Sequence, residues 1–164
     1  SGDSPVGSGW DIVFQHSGLT EGLNIFGGFS SIEQSSVRAQ NDRRQVAAGA
    51  TYAMGGITVG YEYSRDNHNG YTGAASYYEN DMYGVSFLVN DDLSISYGVM
   101  KSKKFINDGL ASTDVELDAS SIQLAYTMGG ASIKVAETSV DNGTYVSTTA
   151  NNKDGTTIML SLAF

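Results

Sequence analysis

Lys153-Asp-Gly-Thr-Thr-Ile-Met-Leu-Ser-Leu-Ala-Phe164 closes the chain and decides how the rest of it reads. Apolar side chains fall at 158, 160, 162 and 164, and the intervening Thr157, Met159, Ser161 and Ala163 are small or weakly polar. Successive residues of a strand point to opposite faces, so one face here is greasy and the other suits an aqueous lumen better than a protein core. The stretch predicts an all-β fold, an antiparallel transmembrane β-barrel of the bacterial outer membrane.

Upstream, the period is two almost everywhere. Ile57, Val59, Tyr61 and Tyr63 alternate with Thr58, Gly60, Glu62 and Ser64, which gives a strand with one apolar side. The pattern recurs at Val46 to Met54, Tyr83 to Val89, Leu93 to Val99 and Ile122 to Met128. Leu23, Ile25 and Phe29 mark another strand, and Trp10, Ile12 and Phe14 a first one. Over 131–140, Ile133 and Val135 lead to Glu137 on the same face, which needs either a register-reversing bulge or a position near the water interface.

Composition excludes several classes. No run approaches the roughly 18 apolar residues of a membrane helix. Charged residues make up 16% of the chain, against about a quarter in a typical soluble domain. The absence of cysteine disfavours a disulfide scaffold or a thiolate metal site. A net charge of −9 argues against nucleic acid as a partner. Without an initiator Met or signal peptide at Ser1-Gly-Asp-Ser-Pro, the chain reads as a processed product or part of something longer.

The connections alternate in length. Tight turns are expected at Met54-Gly-Gly-Ile57, Asn90-Asp-Asp-Leu93 and Met128-Gly-Gly-Ala131, and long polar connections at 31–42, 66–79, 105–118 and 141–154. Short turns at one end and long loops at the other are the membrane-barrel layout, with the long loops outside the cell. Eight strands are clear, beginning near 22, 43, 57, 80, 93, 118, 131 and 155, with a ninth at 10–16. An odd count leaves two readings: residues 1–164 are the C-terminal portion of a larger barrel, or 1–17 is not a strand and the chain is a single eight-stranded barrel. The lumen-facing set (Ala47, Gly49, Thr51, Thr58, Gly60, Gly84 and Ser86 among them) would underfill a narrow barrel, which favours the wider one.

Tyr52-Ala-Met-Gly-Gly-Ile-Thr-Val-Gly-Tyr-Glu-Tyr63, Tyr126-Thr-Met-Gly-Gly-Ala-Ser-Ile-Lys134 and Leu160-Ser-Leu-Ala-Phe164 resemble the strand-turn-strand units and end strand of Gram-negative general porins, especially the alphaproteobacterial type. The resemblance spans most of residues 20–164. It implies a homotrimeric, sixteen-stranded porin for passive diffusion of small hydrophilic solutes and ions, in which Phe164 is read by the barrel-assembly machinery. Such porins are nearly twice as long, and their constriction loop, carried by the first half, has no counterpart here.

Parity places Arg43, Gln45, Glu62, Lys104 and Lys134 toward the lumen, where fixed charge sets ion preference. Arg43, Arg44, Lys101, Lys103 and Lys104 also fit strand ends that meet lipopolysaccharide phosphates or solvent. Tyr52, Tyr97 and Tyr126 are expected near the periplasmic rim and Tyr61, Tyr63 and Tyr83 near the outer one, as two aromatic girdles. No nucleophile or metal-ligand spacing accompanies His16 or His68, so an enzyme and a cofactor are not expected. A loop Asp–His pair at His68 is the one catalytic arrangement considered. Asp114, Glu116 and Asp118 supply oxygen ligands for a calcium ion at unspecific spacing, and read better as a solvated acidic segment. The leading expectation is a porin, with a small structural or adhesive barrel lacking a large pore as the alternative. A soluble β-sandwich would need the apolar faces to meet one another.

Overall fold

The computed structural model describes residues 6–34, 41–68, 74–107 and 112–162. They form one nine-stranded antiparallel sheet in which every strand pairs with its sequence neighbours, in the order β1 to β9. The strands are β1 (Val6–His16), β2 (Leu23–Gln34), β3 (Arg43–Met54), β4 (Ile57–Asn67), β5 (Ala74–Leu88), β6 (Leu93–Asn107), β7 (Ser112–Met128), β8 (Ala131–Asp141) and β9 (Lys153–Leu162). The expected ninth strand is therefore β1, paired with β2 from Val6 to His16, and the reading of 1–17 as non-strand is overturned for these residues. With a single sheet, two apolar faces cannot be packed against one another as in a sandwich. Among the described residues no helix is long and apolar enough to cross a membrane.

Two of the long connections are shorter than the sequence implies. β4 and β5 stay paired out to Asn67 and Tyr77, and β6 and β7 out to Asn107 and Ser112. Cross-strand pairs carry the hairpins outward. The rings of Tyr77 and Phe105 stack with centroids 4.8 Å apart, and the Arg65 guanidinium lies 4.0 Å over Tyr77. Lys101 bridges Glu116 at 3.2 Å and Asp118 at 3.3 Å. Polar composition alone hides such pairs, which is why these segments resemble loops.

At the opposite end, Gly55 and Gly129 take φ of +59° and +57°, as the first central residue of a type II′ hairpin requires. The β5–β6 connection, 89–92, is longer than two residues. It is closed by Asn90, whose Oδ1 accepts from the backbone N–H groups of Asp92 and Leu93 at 2.9 Å each.

The register sorts the faces. Ile57, Phe87, Ile95, Leu124, Val135 and Ile158 form one unbroken cross-strand row. Residues on this apolar face stay open to the surroundings: Ile57 is 45% exposed, Phe87 48% and Ile158 70%. Thr58, Gly60 and Ser96, on the other face, are less exposed. The total accessible surface is 10863 Å², against about 7,900 Å² for a compact monomer of this mass. Large apolar residues thus gather on one exposed face of the sheet and small polar residues on the other, unlike a soluble domain, where apolar side chains pack into a core.

The register also measures strand tilt. β4 reaches its short turn at Ile57, whereas β7, three strands along the same row at Leu124, runs four residues further to Met128. Four residues of strand are about 13 Å and three inter-strand steps about 14 Å, so the strands lean about 40° from the line perpendicular to the rim of turns. The tilt explains Glu137. The β7–β8 register has no break from Met128 to Asp118, so there is no bulge, and Glu137 stands high on β8 with its Oε2 accepting from Thr156 at 2.6 Å. It also corrects the girdles. Tyr52 and Tyr126 each lie two residues from a short turn, but Tyr97 lies four from Leu93, level with Tyr61 above Ile57.

Candidate functional site: the polar face

All five expected lumen residues share the polar face. Gln45 pairs with Ser30, Glu62 with Gly49 and Lys134 with Ala125, while Arg43 pairs with Ile32 and Lys104 with Tyr78. That face frames a cavity of about 630 Å³ lined by Thr58, Gly60, Glu62, Gly84, Ser96 and Gly98, among others. Phe26 also lines it. Its ring lies across Gly49, where a Cβ would come within 2.5 Å of the ring and 2.7 Å of the Tyr61 carbonyl oxygen. Only glycine fits there. Phe26 has the inward parity of Asn24 and Gly28, so the signal was present in the sequence but masked by the neighbouring apolar Ile25.

The upper part of this face, beyond the last apolar residues Val46 and Tyr63, is a connected polar network. Arg43 Nε donates to Asp66 Oδ1 at 2.9 Å, and its Nη2 donates to Oδ2. Gln45 Nε2 donates to the same Oδ2 at 3.1 Å, and His68 Nε2 lies 3.1 Å from it. Burial pushes the Asp66 carboxyl up, but the hydrogen bonds from Arg43 and Gln45 outweigh it and hold the group below the usual carboxylate range. The hydrogen bond to Asp66 correspondingly raises the Arg43 guanidinium above its ordinary value. Arg43 is therefore a paired cation, not the free one its sequence position implies. The His68 ring thus meets Asp66 on the carboxylate that Arg43 already holds.

A second branch crosses three strands. Tyr145 OH lies 2.7 Å from Ser102 Oγ, which donates to Asn80 Oδ1, and Asn80 Nδ2 donates to Ser64 Oγ at 3.1 Å. Ser102, 2% exposed, is the one buried side chain among the described residues. Tyr78 packs 5.5 Å from the Tyr145 ring, and Lys104 Nζ sits 5.9 Å from the same ring. Among the described residues Lys104 and Lys134 have no carboxylate within ion-pair distance. None of Tyr145, Ser102 and Asn80 announces itself in the sequence, because their partners are 16 to 43 residues away, and Asp66 pairs with Arg43 from 23 residues away.

The acidic segment considered for calcium lies on the other face. Glu116 and Asp118 direct their carboxylates to Lys101, and Glu116 also lies 3.5 Å from Lys103, while the Asp114 side chain is outside the described residues. Among the described residues no three His, Cys, Asp or Glu side chains are grouped to hold a metal. Phe164 lies outside the described residues as well. The arrangement defines a one-layer antiparallel wall, with an exposed apolar face and a polar face holding fixed charges. No protein-family model and no curated protein matches this chain.

Proposed function

We propose that this chain supplies nine strands of an outer-membrane porin, a water-filled channel through which small hydrophilic solutes and ions diffuse passively. One observation carries the reading: most of the exposed large apolar side chains share one face of the sheet, while Gly, Ala, Ser and Thr, with Phe26, Met82 and Met100, line the other. In water such a face has no energetic justification, but against lipid it is the stable arrangement. The tilt of about 40° is that of transmembrane barrels. The apolar stretch from Leu93 to Val99 runs about 20 Å along the strand, about 15 Å of depth at that tilt. Above it, Lys101, Lys103, Glu116 and Asp118 form a charged belt at the height of lipid or lipopolysaccharide headgroups.

The sheet edges favour the wide barrel. β1 pairs only with β2 and β9 only with β8 among the described residues. Unpaired backbone groups are costly in lipid, so each edge needs a neighbour. In a nine-strand meander β1 and β9 run in the same direction, so antiparallel closure takes an odd number of further strands. Seven would make the sixteen of the porins that the sequence resembles, and a homotrimer follows from the same resemblance.

Single-channel recording in planar bilayers tests the proposal. Stepwise currents of large-pore size, grouped in threes, are expected. Protein that inserts and stays silent would refute the porin and leave a structural or adhesive barrel.

A further inference from the structure

We infer that the connection after β8, residues 142–152, is a fixed inward-folded narrowing of the proposed pore, and that Lys104 beside it gives passing anions the advantage. The inference rests on the pore reading and names a selectivity element for it.

The connection is locked, not merely close. Asn142, Thr144 and Tyr145 have φ of 53°, 63° and 59°, three non-glycine residues in the left-handed region within four positions. Such residues persist only where their surroundings over-determine them. Here the constraints are visible. The Asn142 N–H donates to Asn152 Oδ1 at 3.0 Å, its Nδ2 donates to the Glu116 carbonyl at 2.9 Å, and the Tyr145 N–H donates back to the Asn142 carbonyl at 2.9 Å. The two limbs touch at Gly143, where a Cβ would lie 2.6 Å from the Asn151 carbonyl oxygen. The result projects Tyr145 over β7 to reach Ser102 on β6 and Tyr78 on β5. A ring held across three strands on the polar face takes up cross-section that a solute would otherwise use.

Charge follows from the same geometry. Glu79, Asp81, Glu116 and Asp118 alternate onto the apolar face and Asp66 is spent on Arg43, while the other polar-face carboxylates, Asp11 and Glu62, stand on β1 and β4, away from the β6 strand that carries Lys104. Lys104 lies beside the Tyr145 ring, and Lys134 lower on the same face, each with no ion-pair partner among the described residues. In a chain of net charge −9, the charge set beside the Tyr145 ring is thus a Lys104 ammonium with no ion-pair partner among the described residues. In a confined, partly dehydrated passage a fixed charge of one sign raises the concentration of its counter-ion.

The test compares wild type, Tyr145→Ala, Tyr145→Phe and Lys104→Gln in planar bilayers, each first shown to be folded by its heat-modifiable gel mobility. Reversal potentials are read across a potassium chloride gradient. Larger unit conductance in Tyr145→Ala is expected, with Tyr145→Phe between it and wild type. The chloride-over-potassium permeability ratio should exceed one in wild type and fall in Lys104→Gln. Conducting wild type with unchanged conductance in Tyr145→Ala, or an unchanged ratio in Lys104→Gln, overturns the inference while the pore stands. Wild type that carries no current overturns the pore, and this inference with it.

Discussion

Replacing Val85 by Arg distinguishes an apolar face that meets lipid from one that meets water. Val85 lies in the middle of the exposed face, 42% exposed, with Val59 and Tyr97 as its cross-strand partners. If that face is solvated, an arginine there changes stability by no more than about 0.5 kcal/mol. If it contacts the centre of a bilayer, the charge costs about 2–4 kcal/mol, roughly a 30- to 700-fold shift in the folding equilibrium. Ser86→Arg is the internal control, one residue along and on the polar face between Thr58 and Ser96. It should cost little. Both variants are unfolded reversibly by guanidinium in phospholipid vesicles, and the folded fraction is read from gel mobility. A loss below about 0.5 kcal/mol for Val85→Arg, matching that of Ser86→Arg, would refute the lipid-facing assignment and with it the proposed location.

Other consequences are local. Gly55→Ala should cost about 1–2 kcal/mol for a left-handed backbone alone, since nothing lies within 4 Å of its added Cβ. Gly22→Ala should cost more than Gly55→Ala in the same unfolding assay, because its Cβ would fall 2.0 Å from the Ala53 carbonyl oxygen and force the β2–β3 backbone apart. The depressed Asp66 carboxyl contributes stability that is present above its unfolded pKa and lost as pH falls through its lower folded value. Asp66→Asn should therefore flatten the acid limb of the stability profile, and an unchanged limb would count against the Arg43–Asp66 clamp. A double-mutant cycle on Lys101 and Glu116 should give a small coupling that shrinks with added salt, because both side chains are partly exposed.

Alternation of apolar and small residues was enough to place the strand cores, their faces and the Gly-Gly turns at 55–56 and 129–130, because a period of two is a local property of the backbone. Arg43, Gln45, Glu62, Lys104 and Lys134 could be assigned to one face on parity alone, and the register places them there together. Parity cannot report what a side chain meets across the sheet. That Asp66 neutralises Arg43 depends on register between β3 and β4, and the outward extension of β5, β6 and β7 depends on ion pairs and stacked rings that composition reads as loop. Glu137 looked like a break in the pattern until strand tilt set its height. The inward fold of 142–152 was the least legible element, because it rests on Ser102, Asn80 and Glu116, which lie in other strands far along the chain. The sequence by itself determined which face is greasy, through side-chain alternation. Only the tertiary structure decided how the polar face is narrowed and charged, because those contacts join residues that only the folded sheet brings within hydrogen-bonding distance.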